Sequence, residues 1–218
     1  MLRVYSAWAL AACLLVAGAW AKEAGPSAHD VVDATTKRVM LVVGEAGSYV
    51  DEDPERYYSQ VQEILDPVID FRGFARSVMG PYASSDRYRS LDEAGRAQLR
   101  DQLDRFTEVM RLGLLRTYSK GLLAYGDSRI EVFAATDEDQ DAGRATVRQL
   151  VYTSQPEPYV LIYQMGQGKA GDWQLRNIII ENVNLGEIYR NQFEASARKN
   201  NGELNAVIDS WTAVEVET

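Results

Sequence analysis

Apolar residues recur with two different periods along the chain, and the change of period divides it. Val32, Thr36, Val39 and Val43 follow one another at spacings of four, three and four, which predicts a helix over residues 28–44 closed by Gly44. Asp53 followed by Pro54 is an N-cap with proline at the first helical position, and Tyr57, Val61, Ile64 and Leu65 continue that helix. Asp66-Pro67 repeats the start signal and predicts a third helix carrying Val68, Phe71, Phe74, Ala75 and Val78, ended by Gly80 and Pro81. Ser90 and Glu93 read as a capping box. From there Leu99, Leu103, Phe106, Met110, Leu114 and Tyr118 form one face of a long amphipathic helix, opposite Arg100, Asp101, Asp104, Arg105, Glu108 and Arg111.

After Gly126 the period becomes two. Ile130, Val132 and Ala134 alternate, and strands are expected again at 145–153, 159–165 and 173–181. Their connections are an acidic turn at 136–143, a Pro156/Pro158 segment and a glycine-rich loop at 166–172. Connections of these kinds between four strands predict an antiparallel meander. Asn184 and Glu187 then open a helix through Leu185, Ile188, Tyr189, Gln192 and Phe193, and Leu204, Val207, Ile208 and Trp211 close the chain. The expected architecture is α+β: helices over 28–125, a twisted sheet of about four antiparallel strands over 129–181 packed on helices, and C-terminal helices over 184–212.

The first residues alter the count. Residues 7–21 carry no charge, are shorter than the ~20 of a membrane span, and end in Ala19-Trp20-Ala21, a small-x-small cleavage pattern. Residues 1–21 are read as a signal peptide and 22–218 as a single domain. Leu10-Ala11-Ala12-Cys13 offers a lipoprotein-type alternative. Cleavage after Ala21 removes Arg3 and no acid, so the net charge goes from −9 to −10. So acidic a protein is a poor nucleic-acid binder.

Cleavage also removes Cys13, the one cysteine, and leaves His29 as the one histidine, near the new N-terminus. Thiol chemistry, disulfides, His-rich zinc sites and a Ser-His-Asp triad are then disfavoured, while carboxylate, Tyr or Lys chemistry survives. Asp51-Glu52-Asp53 and Asp137-Glu138-Asp139 read as solvated loop charge, the second lacking the ligand spacing of an EF-hand. No phosphate-binding glycine loop or metal-ligand spacing is present, and neither a cofactor nor a metal is expected.

Several ordered segments resemble the MlaC family of periplasmic phospholipid-binding proteins, also described as toluene-tolerance auxiliary proteins. They are Asp70-Phe71, Phe74-Ala75 and Val78-Met79-Gly80-Pro81-Tyr82; the helix with Gln98, Phe106, Leu114 and Tyr118; and Trp173-Gln174-Leu175-Arg176-Asn177, Glu181 to Leu185 and Tyr189 to Phe193. Asn177 departs from the family's Asp, and Asn182 and Asn184 from its Gly and Ser, which puts the strand-to-helix corner in question.

The resemblance implies a nuclear-transport-factor or cystatin-like fold with a deep apolar cavity. It implies a monomeric periplasmic carrier, not an enzyme, with bound phospholipid as cargo. The partners it implies are an inner-membrane ABC-transporter complex and an outer-membrane lipoprotein complex that together maintain outer-membrane lipid asymmetry. Facing positions then nominate lining residues: Phe71, Phe74, Val78 and Met79 on one helix; Phe106, Met110, Leu114 and Tyr118 on a second; Val147, Val151, Val160, Ile162 and Trp173 as a sheet floor; Tyr189 and Phe193 at the end. The other sheet face, with Leu150, Leu161 and Tyr163, is nearly as apolar, so either face could be the floor. Arg76 or Arg148 is a candidate for the head-group phosphate. Two rival readings stay open: an enzyme on the same fold with a carboxylate such as Asp70 or Glu181 in its cavity, and an adaptor whose apolar groove binds protein.

Overall fold

The computed structural model describes residues 25–134 and 143–212. The signal-peptide reading and the run Asp137-Glu138-Asp139 lie outside the described residues. Among these residues seven α-helices, α1 Ala28–Ala46, α2 Pro54–Leu65, α3 Phe71–Met79, α4 Ser85–Ser90, α5 Glu93–Leu122, α6 Leu185–Lys199 and α7 Leu204–Asp209, flank five strands, β1 Arg129–Phe133, β2 Arg144–Tyr152, β3 Tyr159–Gln167, β4 Trp173–Ile180 and β5 Val183–Asn184. The strands form one antiparallel sheet in the order β1-β2-β3-β4-β5, the predicted meander with one short strand added.

Two helix starts differ from the sequence reading. Asp66 closes α2 and does not open α3. The chain from Val68 to Asp70 is instead drawn out along β4: Leu175 N donates to Val68 O at 2.8 Å, Asp70 N donates to Leu175 O at 3.0 Å, and Ile69 bridges Leu175 in parallel. A backbone paired with a strand cannot also be helical, so capping passes to Asp70, whose Oδ1 accepts from Gly73 N at 2.9 Å. This strap covers part of the β4 edge that β5 leaves open. Ser90 likewise ends α4, donating to Arg87 O at 2.7 Å, and Asp92 caps α5 through Gly95 N at 2.8 Å.

Register fixes the two faces of the sheet. Val147 lies opposite Tyr163 and Tyr163 opposite Ile178, while Leu161 lies between Gln149 and Ile180. Residues directly opposite share a face. The inner face therefore carries Val147, Gln149, Val151, Leu161, Tyr163, Ile178 and Ile180, and helices pack on it. The outer face carries Arg144, Arg148, Leu150, Val160, Ile162 and Gln164. A shift between Gln164 and Met165 leaves Arg176 without an opposite residue and keeps Leu175 and Trp173 on the inner side. At the far edge, His29 Nε2 donates to the Val132 carbonyl of β1 at 3.3 Å.

The buried side chains form three clusters. Phe74, Val78, Met79, Phe106, Met110, Tyr189 and Phe193 belong to the first, built from α3, α5, α6 and α7. Val39, Val43, Tyr57, Val61 and Ile64 join α1 to α2, and the Tyr57 hydroxyl donates to Ser119 O of α5 at 2.8 Å. Ala28 and Val32 of α1 press Ala145, Val147 and Met165.

The strand-to-helix corner explains the three asparagines. Glu181 and Asn182, the two residues between β4 and β5, have φ of 47° and 67°, the paired positive values of a mirror-image hairpin turn that Asn tolerates nearly as well as Gly. Asn184 Oδ1 caps α6 through Glu187 N at 3.2 Å. Asn177 Oδ1 accepts from Gly186 N at 3.0 Å, and its Nδ2 donates to Asn184 Oδ1 and to Gln164 Oε1, both at 2.9 Å. An Asp at 177 keeps the first bond, loses both donations and sets a carboxylate against Asn184 Oδ1. A Ser at 184 restores a donor and still caps. We expect Asn177→Asp to lower unfolding free energy by about 1 kcal/mol, and Asn184→Ser in the same chain to recover most of it. Urea unfolding of the four proteins measures the coupling; additive single effects would disprove it.

Candidate functional site

The described structure separates the nominated residues into packed walls, an inner surface and an outer one. Phe74, Val78, Met79, Phe106, Met110, Tyr189 and Phe193 are buried in the first cluster, tied by ring contacts such as Phe106–Phe193 at 4.9 Å, Phe106–Trp211 at 5.0 Å and Phe74–Tyr189 at 6.1 Å. These side chains are filled by one another. Phe71 is buried in the first turn of α3. Leu114 and Tyr118 are only half-buried and lie on the cluster's flank. Val147 is fully buried beneath α1, Val151 is buried on the same sheet face, and Trp173 is half-buried beside Val147.

The sheet floor as nominated mixes the two faces, and the register corrects it. Val160 and Ile162 are on the outer face with Leu150, whereas Leu161 and Tyr163 join Val147 and Val151 within. Sequence alternation identifies which residues of one strand share a face but not how two strands align. Leu161, Tyr163, Ile178 and Ile180 are the inner-face residues that this alignment adds. Ile178 and Ile180 could have been reached by extending the period-two reading along β4.

All four are half-accessible although helices pack on their face. Ile178 and Ile180 touch the first cluster and Tyr163 the third, while Leu161 lies opposite Ile180 and two residues before Tyr163. The apolar floor is thus a seam between clusters, with Leu114 and Tyr118 of α5 at the first cluster's border. Burial pushes the Tyr163 hydroxyl above its ordinary pKa. The Tyr163 ring is half-buried and packs against the third cluster. The Tyr118 hydroxyl is also shifted up, by burial first and then by the Tyr189 hydroxyl 3.5 Å away.

The two arginines sit elsewhere and apart. Arg148 is exposed on the outer face opposite Ile162 and Phe133. Arg76 lines an open groove of about 1180 Å³ between α3, α6 and the β4–β5 corner, together with Asp70, Arg176, Glu187, Arg190 and Glu194. Its three guanidinium groups are engaged: Arg76 with Ala83 O at 3.3 Å and Ser85 Oγ at 2.7 Å, Arg190 with Ser77 O at 3.0 Å and Ser77 Oγ at 2.8 Å, and Arg176 in an ion pair with Asp70. The groove is polar and the seam apolar, so they suit different ligands. The carboxylates considered for acid–base work serve the backbone: Asp70 caps α3, and Glu181 accepts from Val160 N.

Comparison with known proteins gives a concordant result. The family model described as MlaC protein matches residues 33–213. The toluene tolerance protein ttg2D of Pseudomonas putida is 28% identical over 188 residues, covering 86% of this chain and 81% of that protein. The solved phospholipid-binding protein of Ralstonia solanacearum, in complex with a phospholipid, superposes with a TM-score of 0.64 at 20% identity, covering 84% of this chain and 94% of that one.

The buried phenols set an alkaline limit. Tyr57 is pushed up to about 12, mainly by burial, and Tyr118 and Tyr163 shift the same way. A folded-state pKa above the unfolded value near 10 means stability is intact below pH 10 and lost as pH rises through the folded values. The free energy of unfolding in urea is expected to fall between pH 10 and 12, and to fall less steeply in Tyr163→Phe. Equal slopes in the two proteins would show that Tyr163 is not desolvated.

Proposed function

The chain belongs to the MlaC family, and from that premise we propose that it is a phospholipid carrier that holds acyl chains in the seam between the inner sheet face and the helices. The observation that carries this reading is the half-accessible apolar row Leu161, Tyr163, Ile178 and Ile180 lying on the helix-covered face. A fully packed core would have closed over that row. The phospholipid seen in the Ralstonia solanacearum protein of the same fold supports it.

The energetics require such a surface. Moving acyl chains into water costs ~0.8 kcal/mol per CH₂, so a diacyl lipid with roughly thirty such groups costs on the order of 25 kcal/mol if carried bare. A carrier needs a hydrocarbon lining and no nucleophile, so the reading is of a binding protein without enzymatic activity. The reading puts it in the periplasm as a monomer; the uncharged segment 7–21 and its small-x-small end support the location. There it shuttles lipid between an outer-membrane lipoprotein complex and an inner-membrane ABC-transporter complex, maintaining outer-membrane lipid asymmetry. The acidic net charge, −10 after cleavage at Ala21, discourages adhesion to anionic bilayers, so transfer depends on docking to those partners.

Native mass spectrometry of protein recovered from the periplasm, followed by organic extraction, tests the reading. A stoichiometric phospholipid adduct is expected. Leu161→Trp, which fills the seam while keeping it apolar, is expected to lose at least tenfold of that adduct with its circular dichroism unchanged. Lipid-free wild-type protein that also takes no lipid from vesicles would overturn the proposal, and so would a Leu161→Trp protein that loads normally.

A further inference from the structure

An antiparallel sheet covered by helices on one face normally turns polar side chains outward on the other. In β2, β3 and β4 that alternation fails. On the outer face Leu150 lies opposite Val160, and Ile162 opposite Ile179, with Phe133 of β1 in the same row as Ile162 across Arg148. Phe133 is 43% exposed, Val160, Ile162 and Ile179 are half-buried, and Leu150 is buried. None of the five belongs to the three buried clusters or packs against them. The seam makes no use of this surface, which is the reverse side of the same strands.

The charge of the outer face is opposite to that of the chain. Arg148 is exposed within the row, between Ile162 and Phe133, and Arg144 is exposed four residues earlier on the same side of β2. Among the described residues neither has an ion-pair partner. Glu131, the carboxylate that β1 places here opposite Leu150, is taken up by Arg129 at 2.7 Å and by the Tyr152 hydroxyl at 3.0 Å. The face is therefore apolar at its centre and basic, in a chain whose net charge is −9.

We infer that the outer sheet face is a docking surface for an amphipathic helix of a partner protein, one whose apolar stripe is flanked by carboxylates. A helix about 10 Å across covers two to three strands spaced about 4.8 Å apart, the width from Leu150 on β2 to Ile179 on β4. Its stripe covers the apolar row and its carboxylates meet Arg144 and Arg148. Two copies of the chain set face to face would instead bring the unpaired arginines of each onto the basic face of the other. A bilayer takes in side chains that project, and of the five apolar side chains only Phe133 is exposed. The apolar row favours any amphipathic helix, and the arginines reject a basic one. The inference goes beyond the carrier reading and rests on the outer face alone; in a carrier it leaves the seam free while the partner is engaged.

The test uses the full-length protein and two synthetic peptides of about 20 residues, long enough to be helical. Both have the same leucine stripe, flanked by glutamates in one and by lysines in the other. Binding is read by fluorescence anisotropy at about 0.15 M salt, where charges more than about 8 Å away are screened and the net charge of the chain counts for little. Wild type is expected to bind the glutamate peptide about tenfold more tightly than the lysine peptide, the ratio that two ion pairs at the rim give. The double variant Arg144→Glu, Arg148→Glu is expected to reverse that preference. Ile179→Thr, which keeps a β-branched side chain, is expected to weaken both peptides about fivefold. Circular dichroism checks the fold of each variant, and the comparison of the two peptides on wild type needs no variant. Equal binding of the two peptides by wild type, binding of neither at about 1 mM, or a preference that survives the double reversal would overturn the inference. So would a dimer in sedimentation that Ile179→Thr disperses, which gives the face to a second copy, or tighter binding to phosphatidylglycerol vesicles than to the glutamate peptide, which gives it to a membrane. Lipid bound to the same samples, read by native mass spectrometry, reports on the carrier reading separately.

Discussion

Antiparallel pairing of β2, β3 and β4 is the constraint on which the rest of the molecule depends. Once Val147 is set opposite Tyr163 and Tyr163 opposite Ile178, one face is committed to meeting the helices and Arg144, Arg148 and Gln164 fall on the other. A slip of one residue would exchange Tyr163 and Leu161 for Ile162 and Gln164 and put a polar amide beneath the helices. The helices then divide the inner face between them. α1 settles over Ala145 and Val147, and α3, α5, α6 and α7 gather over Ile178 and Ile180. Leu161 and Tyr163 stay half-buried, Tyr163 against the α1 group. The seam is what remains when two well-packed groups of helices share one sheet without merging.

Two local devices hold this arrangement. The strap from Val68 to Asp70 ties the α2–α3 connection to β4 by two backbone hydrogen bonds, and the Asp70–Arg176 pair adds a charge contact where the bulge leaves Arg176 unopposed. Gly73 permits the close approach of the cap, since a Cβ there would collide with the Asp70 carboxylate. At the other end of β4, the positive-φ turn at Glu181 and Asn182 and the Asn177–Asn184 contact aim α6 back over the sheet. The asparagines that depart from the family pattern are therefore a consistent set, in which one amide donates where the other accepts.

Much of this was legible in the sequence. Local signals carried the helix of Val32, Val39 and Val43, the Asp53-Pro54 start, the strand alternation and the Asn184 cap, because each depends on neighbours within a turn or two. What failed depended on distant partners. Asp66-Pro67 has the right local chemistry to start a helix and does not, because β4 claims the following backbone. Ser90 loses to Asp92 for a local reason instead, the preceding short helix having used Ser90 as its end. For the site, the aromatic residues Phe74, Phe106 and Phe193 were visible as apolar periodicity but proved to be wall rather than surface. Leu161 and Tyr163 required inter-strand register, which no single strand encodes.

The edges of the sheet have a consequence of their own. An open strand edge is a template for pairing with other chains. At one end, the Val132 carbonyl is taken up by His29 from α1, while Arg129 and Glu131 place opposite charges along the same short strand. At the other, β5 and the strap divide the β4 edge, so no long run of free amides and carbonyls is presented. Growth by strand addition is thus obstructed at both ends, and the sheet can keep an accessible apolar face inward without that face becoming the start of an aggregate.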